Sequence, residues 1–503
     1  MTLTPENAML LALIIPALGG VAVALLGSRP NLREGATLTA AVLLALVVAY
    51  LVEAASGVSL TRDLDGNWTA PSLELAAITE GLSISLRLEP LGAMFAAVAA
   101  GLWIVNSLYS IGYMRGNSEK NQTRFYVCFT IAIGSAMGVA LAGNLFTLFI
   151  FYEVLTLSTF PLVTHKGDAN AYRGGRIYLT ILLGTSIGLL LPAVITTHVV
   201  AGSTDFTAGG LLAQVESAQG LIASVLLVLF AFGIGKAALM PIHPWLPNAM
   251  VAPTPVSALL HAVAVVKAGV FTMLKVGVFI FGPELIRATP SADWLAWIAG
   301  LSIVLGSVIA MTKDNLKARL AFSTVSQLSY VTLGVMLAAP AALLGAALQI
   351  IMHAWGKITL FMSAGAIYTA TKETEISKMR GLGRLMPWLF IAYIIGALSI
   401  IGLPPFGSAW PKLFLIEGVF DSGHGWLVIV LVLSSLLNVA YLLPLGAKGF
   451  FEAPEHAQLK KPAPILVILP PVITALGTLA LFFLIGPLRD YLEPVFMFTS
   501  EAR

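Results

Sequence analysis

Fourteen apolar runs, each long enough to cross a bilayer as a helix, follow one another along this chain and leave little between them. A helical span needs about 20 mainly apolar residues. On that rule the spans fall roughly at 8–27, 36–56, 88–112, 124–142, 144–164, 173–200, 219–240, 253–282, 291–311, 316–338, 341–370, 384–413, 424–450 and 463–487. A membrane strand needs only about 9–11 residues, so run length predicts helices: an all-α polytopic membrane protein. Composition agrees. The 503 residues are 58% hydrophobic and only 11% charged, against about 25% charged in a soluble domain. That much apolar surface requires lipid as its solvent. The longest polar connection, Gly57 to Arg87, is too small for a further domain, so 1–503 is read as a single membrane domain.

Other classes are excluded by what is lacking. A net charge of +3 offers no basic field for nucleic acid. Cys128 stands alone and cannot form an internal disulfide. Metal-ligand spacing, a phosphate loop, a nucleophile elbow and a haem motif are all missing, so neither a metal nor a cofactor is expected. The first run follows Glu6 rather than a basic stretch, and reads as a retained helix rather than a cleaved leader.

Charges on the connections test the count. The odd connections carry Arg29 and Arg33; Arg115, Lys120 and Arg124; Lys166, Arg173 and Arg176; Lys313, Lys317 and Arg319; Lys372, Lys378, Arg380 and Arg384; and Lys448, Lys460 and Lys461. Even connections hold only Arg62, Arg87 and Arg287, and lean acidic through Asp63, Asp65, Asp205 and Glu216. Positive residues mark the cytoplasmic side, which places both termini outside. A miscounted span would scramble the alternation from that point on.

Two spans are broken alike. The seventh runs through Lys236 into Pro241, Pro244, Pro247, Pro253 and Pro255, and the twelfth contains Gly402, Pro404, Pro405, Gly407 and Pro411. Proline removes a backbone donor and clashes with the turn before it. In lipid such breaks survive only where they line protein or a wet cavity. Paired interruptions in two halves point to inverted repeats. The breaks lie five spans apart, an odd number, so the second copy enters from the opposite face. The expected repeats are 124–282 and 291–450.

The chemistry is carried by ionisable groups at span depth: Glu153, Lys236, His261, Lys267, Lys275, His353, Lys357 and Lys412. Each charge at mid-bilayer costs about 2.5–3.5 kcal/mol on insertion scales, so the set outweighs the roughly 5–15 kcal/mol that holds a domain together. Counter-charge or water must compensate. Arginine stays charged, whereas a buried lysine releases and rebinds protons, and no arginine sits among the central positions. His353 and Lys357 are four apart and share a helix face. His261 and Lys267 are six apart, and meet only if Pro253, Pro255 and Gly269 unwind the helix locally. Glu153 is read as the deep carboxylate of the first half and as the partner of Lys236. Lys275, near its span end, is read as snorkelling to the interface. Each member has a bland reading too: Glu153 and Lys236 as a structural pair, the histidines as satisfied core residues.

The stretch from Gly233 to Met250 (GIGKAALMPIHPWLPNAM), continued by APTPVSALLHA from Ala252, resembles the broken-helix motif of the antiporter-like subunits shared by Mrp-type cation/proton antiporters, respiratory complex I and membrane-bound hydrogenases. The resemblance covers essentially the whole chain. It implies that Glu153 and Lys236 are the fifth- and seventh-helix ion pair, His261 and Lys267 the eighth-helix relay, His353 and Lys357 the eleventh-helix pair, and Lys412 the terminal twelfth-helix lysine. The stretch VAVVKAGVF from Val263 is most similar to the Mrp branch, and the chain's end soon after the fourteenth span to its D subunit. Asn248 stands where the family usually has aspartate. The implied function is proton translocation in a bacterial inner-membrane sodium/proton antiporter, with neighbouring membrane subunits as partners. The alternatives are the proton-pumping subunit of a redox complex, and a scaffold whose buried ions are structural. No sodium site is identifiable in the chain.

Overall fold

The computed structural model describes residues 3–63, 68–79, 81–453, 459 and 462–497. Asp65, Lys460 and Lys461, used above in the charge alternation, lie outside the described residues. Among the described residues twelve helices are long and apolar enough to span: Pro5–Leu25, Pro30–Ala54, Pro90–Gly116, Gln122–Leu141, Leu145–Val163, Ala169–Ala201, Thr254–Phe281, Pro290–Met311, Leu316–Leu337, Pro340–Thr371, Leu427–Phe451 and Ile465–Phe483. Two shorter apolar helices, Leu221–Gly233 and Pro387–Ile401, occupy the seventh and twelfth places. They are the two whose sequences carry the proline-rich breaks. The fourteen predicted runs therefore all appear as helices.

The bundle is layered around its polar spans. The eighth span, Thr254–Phe281, is wholly enclosed by protein, and the tenth and eleventh nearly so. The first two spans turn most of their surface outward, as helices meeting lipid or another subunit must. The spans that carry lysine and histidine are thus the ones most shielded from hydrocarbon.

Three departures from the expected layout have local causes. The connection Gly57 to Arg87 contains an antiparallel hairpin, Ser72–Thr79 against Leu82–Arg87. Its side chains largely alternate polar and apolar, a period-two signal that a search for 20-residue runs overlooks. Ser85 fastens it to the bundle, its carbonyl accepting from Gly143 N at 2.8 Å and its own N–H donating to Thr147 Oγ1 at 2.9 Å. The last predicted span, 463–487, stops at Phe483; a separate helix, Ile485–Phe496, follows and pairs Arg489 with Glu493 at 2.9 Å. The eighth span is distorted at Leu259–Val263, a π-helical turn, and at Ala264 (φ −116°, ψ −73°). Pro253 and Pro255 merely begin that span, and Gly269 has another task described below.

Candidate functional site

The seventh span ends at Gly233, turns through the short 3₁₀ segment Gly235–Ala237, and passes Ala238 in the left-handed region at φ +54°. Freed backbone groups are caught by side chains, as a break inside lipid requires. Trp245 Nε1 donates to Gly235 O at 2.9 Å, Lys236 N donates to Tyr152 OH at 3.1 Å, and Met240 N donates to Ser302 Oγ at 3.3 Å. Gly269 of the eighth span lies against this turn so closely that a Cβ there would sit 2.3 Å from the Lys236 carbonyl carbon. The break is thereby clamped to the span that carries His261 and Lys267.

Lys236 is fully buried. Its Nζ donates to Thr156 Oγ1 at 2.6 Å and to Tyr152 O at 2.8 Å, and lies 3.1 Å from the centre of the Tyr152 ring. Glu153, the expected partner, is near enough to act on it electrostatically, yet its Oε1 is buried without a hydrogen-bond partner in the protein. The direct ion pair is therefore not made in this structure. Thr156 and the Tyr152 carbonyl take the donors instead.

Lys267 and His353 meet directly. Nζ of one lies 2.7 Å from Nδ1 of the other, both fully buried, joining the eighth span to the eleventh. His261 lies on the π turn with its ring 4.4 Å from that of Phe361, and neither of its nitrogens has a protein partner. One helical turn beyond His353, Lys357 donates to Ser323 Oγ at 2.7 Å. Tyr441 donates to the same Ser323 oxygen at 2.8 Å and is also bonded to Asn438. Nearby, Gln349 Nε2 donates to Gln327 Oε1 at 2.9 Å, and Ser307, Ser326 and Ser434 sit within 3.0–3.4 Å of one another.

The twelfth span breaks after Ile401, where Gly402 takes φ +88°. Lys412, from the second half of that span, fills the gap. It donates to Ile401 O at 2.6 Å, Ile400 O at 3.2 Å and Ser435 Oγ at 2.9 Å. An ammonium at a helix C-terminus meets the negative end of the helix dipole, so this lysine caps the half-helix while remaining a proton carrier. Any Cβ at residue 402 would stand 2.6 Å from Lys412 Cδ, which requires glycine.

Lys275 corrects the sequence reading. It does not snorkel: it is fully buried, 3.2 Å from Glu89 Oε1, and donates to Ala142 O at 3.0 Å and Ala140 O at 3.3 Å. Glu89 is thus a second deep carboxylate in the first half, and Glu153 is not alone there. The hydroxyls of Thr156, Ser323, Ser435 and Tyr441 and the Gln327–Gln349 pair give no signal in the sequence, because small polar residues are common in membrane helices for packing alone.

The fold and these contacts define an α-helical polytopic membrane protein with an ionisable interior strung between two broken helices. The chain belongs to the family described as NADH:quinone oxidoreductase/Mrp antiporter, TM, whose profile matches residues 142–438. It is 30% identical over 383 residues to NADH-quinone oxidoreductase subunit N of Desulforudis audaxviator, covering 75% of this chain and 73% of that one. It is 32% identical over 439 residues to a Na(+)/H(+) antiporter subunit of Alkalihalophilus pseudofirmus, covering 80% of this chain and 52% of the relative. A chain of the solved Mrp complex from Dietzia sp. superposes with a TM-score of 0.81 at 26% identity, covering 99% of this chain and 52% of that one. The chain therefore spans about half the length of these antiporter relatives.

Proposed function

We propose that this chain is the proton-translocating subunit of a multisubunit sodium/proton antiporter of the Mrp type, in the position of its D subunit. Protons pass along Lys236, His261, Lys267, His353, Lys357 and Lys412, with Glu153 biasing Lys236. The observation that carries the reading is the 2.7 Å approach of Lys267 Nζ to His353 Nδ1 in a fully buried setting. Two protonated bases cannot face each other at that distance, and two groups so close titrate as one unit sharing a proton. Such a pair is poised to pass it on.

Several buried atoms beside it have no protein partner: both nitrogens of His261, His353 Nε2, Gln327 Nε2, Gln349 Oε1 and Asn438 Nδ2. Buried polar atoms are normally satisfied by protein or ordered water, which favours a hydrated route. The two broken spans fit inverted repeats at 124–282 and 291–450, one opening to each face, with the basic connections in the cytoplasm and both termini outside. The other membrane subunits of the assembly would carry part of the cation path.

A second reading has its own support. The likeness to subunit N covers 73% of that relative, more than the share covered of the antiporter relative, and favours a redox-driven proton pump with the same internal chemistry. Purifying the intact complex through a tag on this chain, and reconstituting it in liposomes with an internal pH dye, separates the two. An imposed sodium gradient moves protons under the first reading. Under the second, quinone and iron–sulfur subunits co-purify and proton movement needs electron transfer.

The hydroxyl bridge between Lys357 and the twelfth-span lysine gives a smaller prediction. Tyr441→Phe removes the hydroxyl while keeping the ring, and is expected to slow exchange by about tenfold, below the span typical for losing a proton-transfer group. Initial rates in everted vesicles measure this; an unchanged rate would take Tyr441 out of the route.

A further inference from the structure

By sequence Lys317 belongs to a connection, but the structure turns it inward. A cleft of about 50 Å³ opens among the basic connections, lined by Tyr113, Lys166, Thr254, Lys317, Tyr368 and Glu373. Water needs about 10–15 Å³ of such space. We propose that this cleft is the port through which the buried relay exchanges protons with the adjoining water, with Lys317 and Ser257 linking it to His261. The inference rests on the relay proposed above.

Geometry places these groups in series. Lys317 is half-buried at the wall of the cleft, and its Nζ donates to Ala252 O at 2.6 Å and to Ser257 Oγ at 3.3 Å. Ser257 is fully buried and lies four residues before His261 on the eighth span. His261 has two unpartnered ring nitrogens, and Lys317 and Lys357 are the charges that act on it. The charged groups around the cleft are Lys166, Glu373, Lys372 (bonded to Asn117) and Glu119. Burial lifts the Glu119 carboxyl above its ordinary range, while Lys166, Lys372 and Lys317 pull the other way. On the remaining side, the rings of Tyr113 and Tyr368 stack at 6.4 Å and narrow the passage.

The proton balance closes. Water in the cleft gives a proton to the neutral Lys317 amine. The resulting ammonium passes one proton to Ser257 Oγ as that hydroxyl releases its own toward a His261 ring nitrogen. Amine and hydroxyl are regenerated, and one proton has moved inward; the reverse sequence moves one outward.

A purely structural lysine would do no more than hold the Ala252 carbonyl, a task arginine also performs. Arginine keeps the charge and the donors but does not give up its proton. The test is cation exchange by the intact complex in everted vesicles, comparing Lys317→Arg, Lys317→Met and Ser257→Ala with Lys357→Met. Both Lys317 variants are expected to slow exchange by about 100-fold, and Ser257→Ala by somewhat less. Wild-type exchange in an assembled Lys317→Arg complex overturns the port. Should the Lys317 variants fail to assemble, Ser257→Ala decides instead, because it leaves every charge in place: full exchange in it overturns the port equally. Full exchange in assembled Lys357→Met rejects the relay itself, whereas a dead Lys357→Met beside an active Lys317→Arg rejects the port alone.

Discussion

Replacing Lys236 by alanine is expected to leave an assembled complex that has lost pH-dependent cation exchange in everted vesicles, by about 100-fold or more. Assembly survives because nothing around the lysine is left stranded. Thr156 Oγ1 already donates to the Tyr152 carbonyl at 3.2 Å, so both acceptors of the ammonium keep a partner when it is removed. Glu153 makes no direct bond to Lys236 and loses only a neighbouring charge. The break itself is held by Trp245, by the Tyr152 hydroxyl and by the close approach of Gly269, none of which needs the side chain of residue 236.

Function has no such redundancy. Lys236 is the titratable group that the seventh span presses against the eighth, and a methyl group offers no base in its place. A scaffold role predicts the opposite pattern: exchange would fall only as far as the yield of assembled complex falls. Full exchange by an assembled Lys236→Ala complex would therefore sink the relay. Subunit yield and initial exchange rate, measured on the same vesicles, decide between them.

The spans and their breaks were legible because lipid punishes every deviation. A run of apolar residues has only one solvent, and proline within it must be answered by protein. The same logic singles out the buried amines, and the structure shows two of those residues, Lys267 and His353, in direct contact. Their partners were not legible. That Lys236 would rest on Thr156 and the Tyr152 carbonyl rather than on Glu153 depends on the angle at which the fifth span meets the 3₁₀ turn, which no spacing encodes. The six-residue spacing of His261 and Lys267 does signal an irregular helix, but the irregularity is a π turn at Leu259–Val263 and not an unwinding at the prolines. Arg62 and Arg87, two of the exceptions to the charge alternation, have a local reason to be there. Both guanidinium groups lie over the Trp68 ring, at 4.4 and 3.5 Å from its centre, and both reach Asp205. Hairpin structure placed them, and span-by-span counting contains no term for it.

Glu89→Ala is expected to be the most destabilising single change in the first half, costing about 3–5 kcal/mol for breaking a buried pair and about 1 kcal/mol more for the lost helix cap. Glu89 performs both tasks at once. Its two oxygens accept from Leu91 N and Gly92 N at 2.6 Å each, capping the third span, and Oε1 faces Lys275 at 3.2 Å. Proximity to the fourth span leaves no room for rearrangement, since a Cβ at Gly92 would lie 2.3 Å from Ala140 O. The two halves of the pair are not equivalent. Lys275→Met leaves a carboxylate still held by two backbone donors at the positive end of a helix, whereas Glu89→Ala leaves an ammonium with only the carbonyls of Ala140 and Ala142. Thermal unfolding of the purified complex should therefore rank Glu89→Ala below Lys275→Met. Glu89→Gln combined with Lys275→Met should recover stability relative to Glu89→Gln alone, because the uncompensated charge is gone. If Glu89→Ala melted at the temperature of the unaltered complex, the pair would not be holding the third span to the eighth.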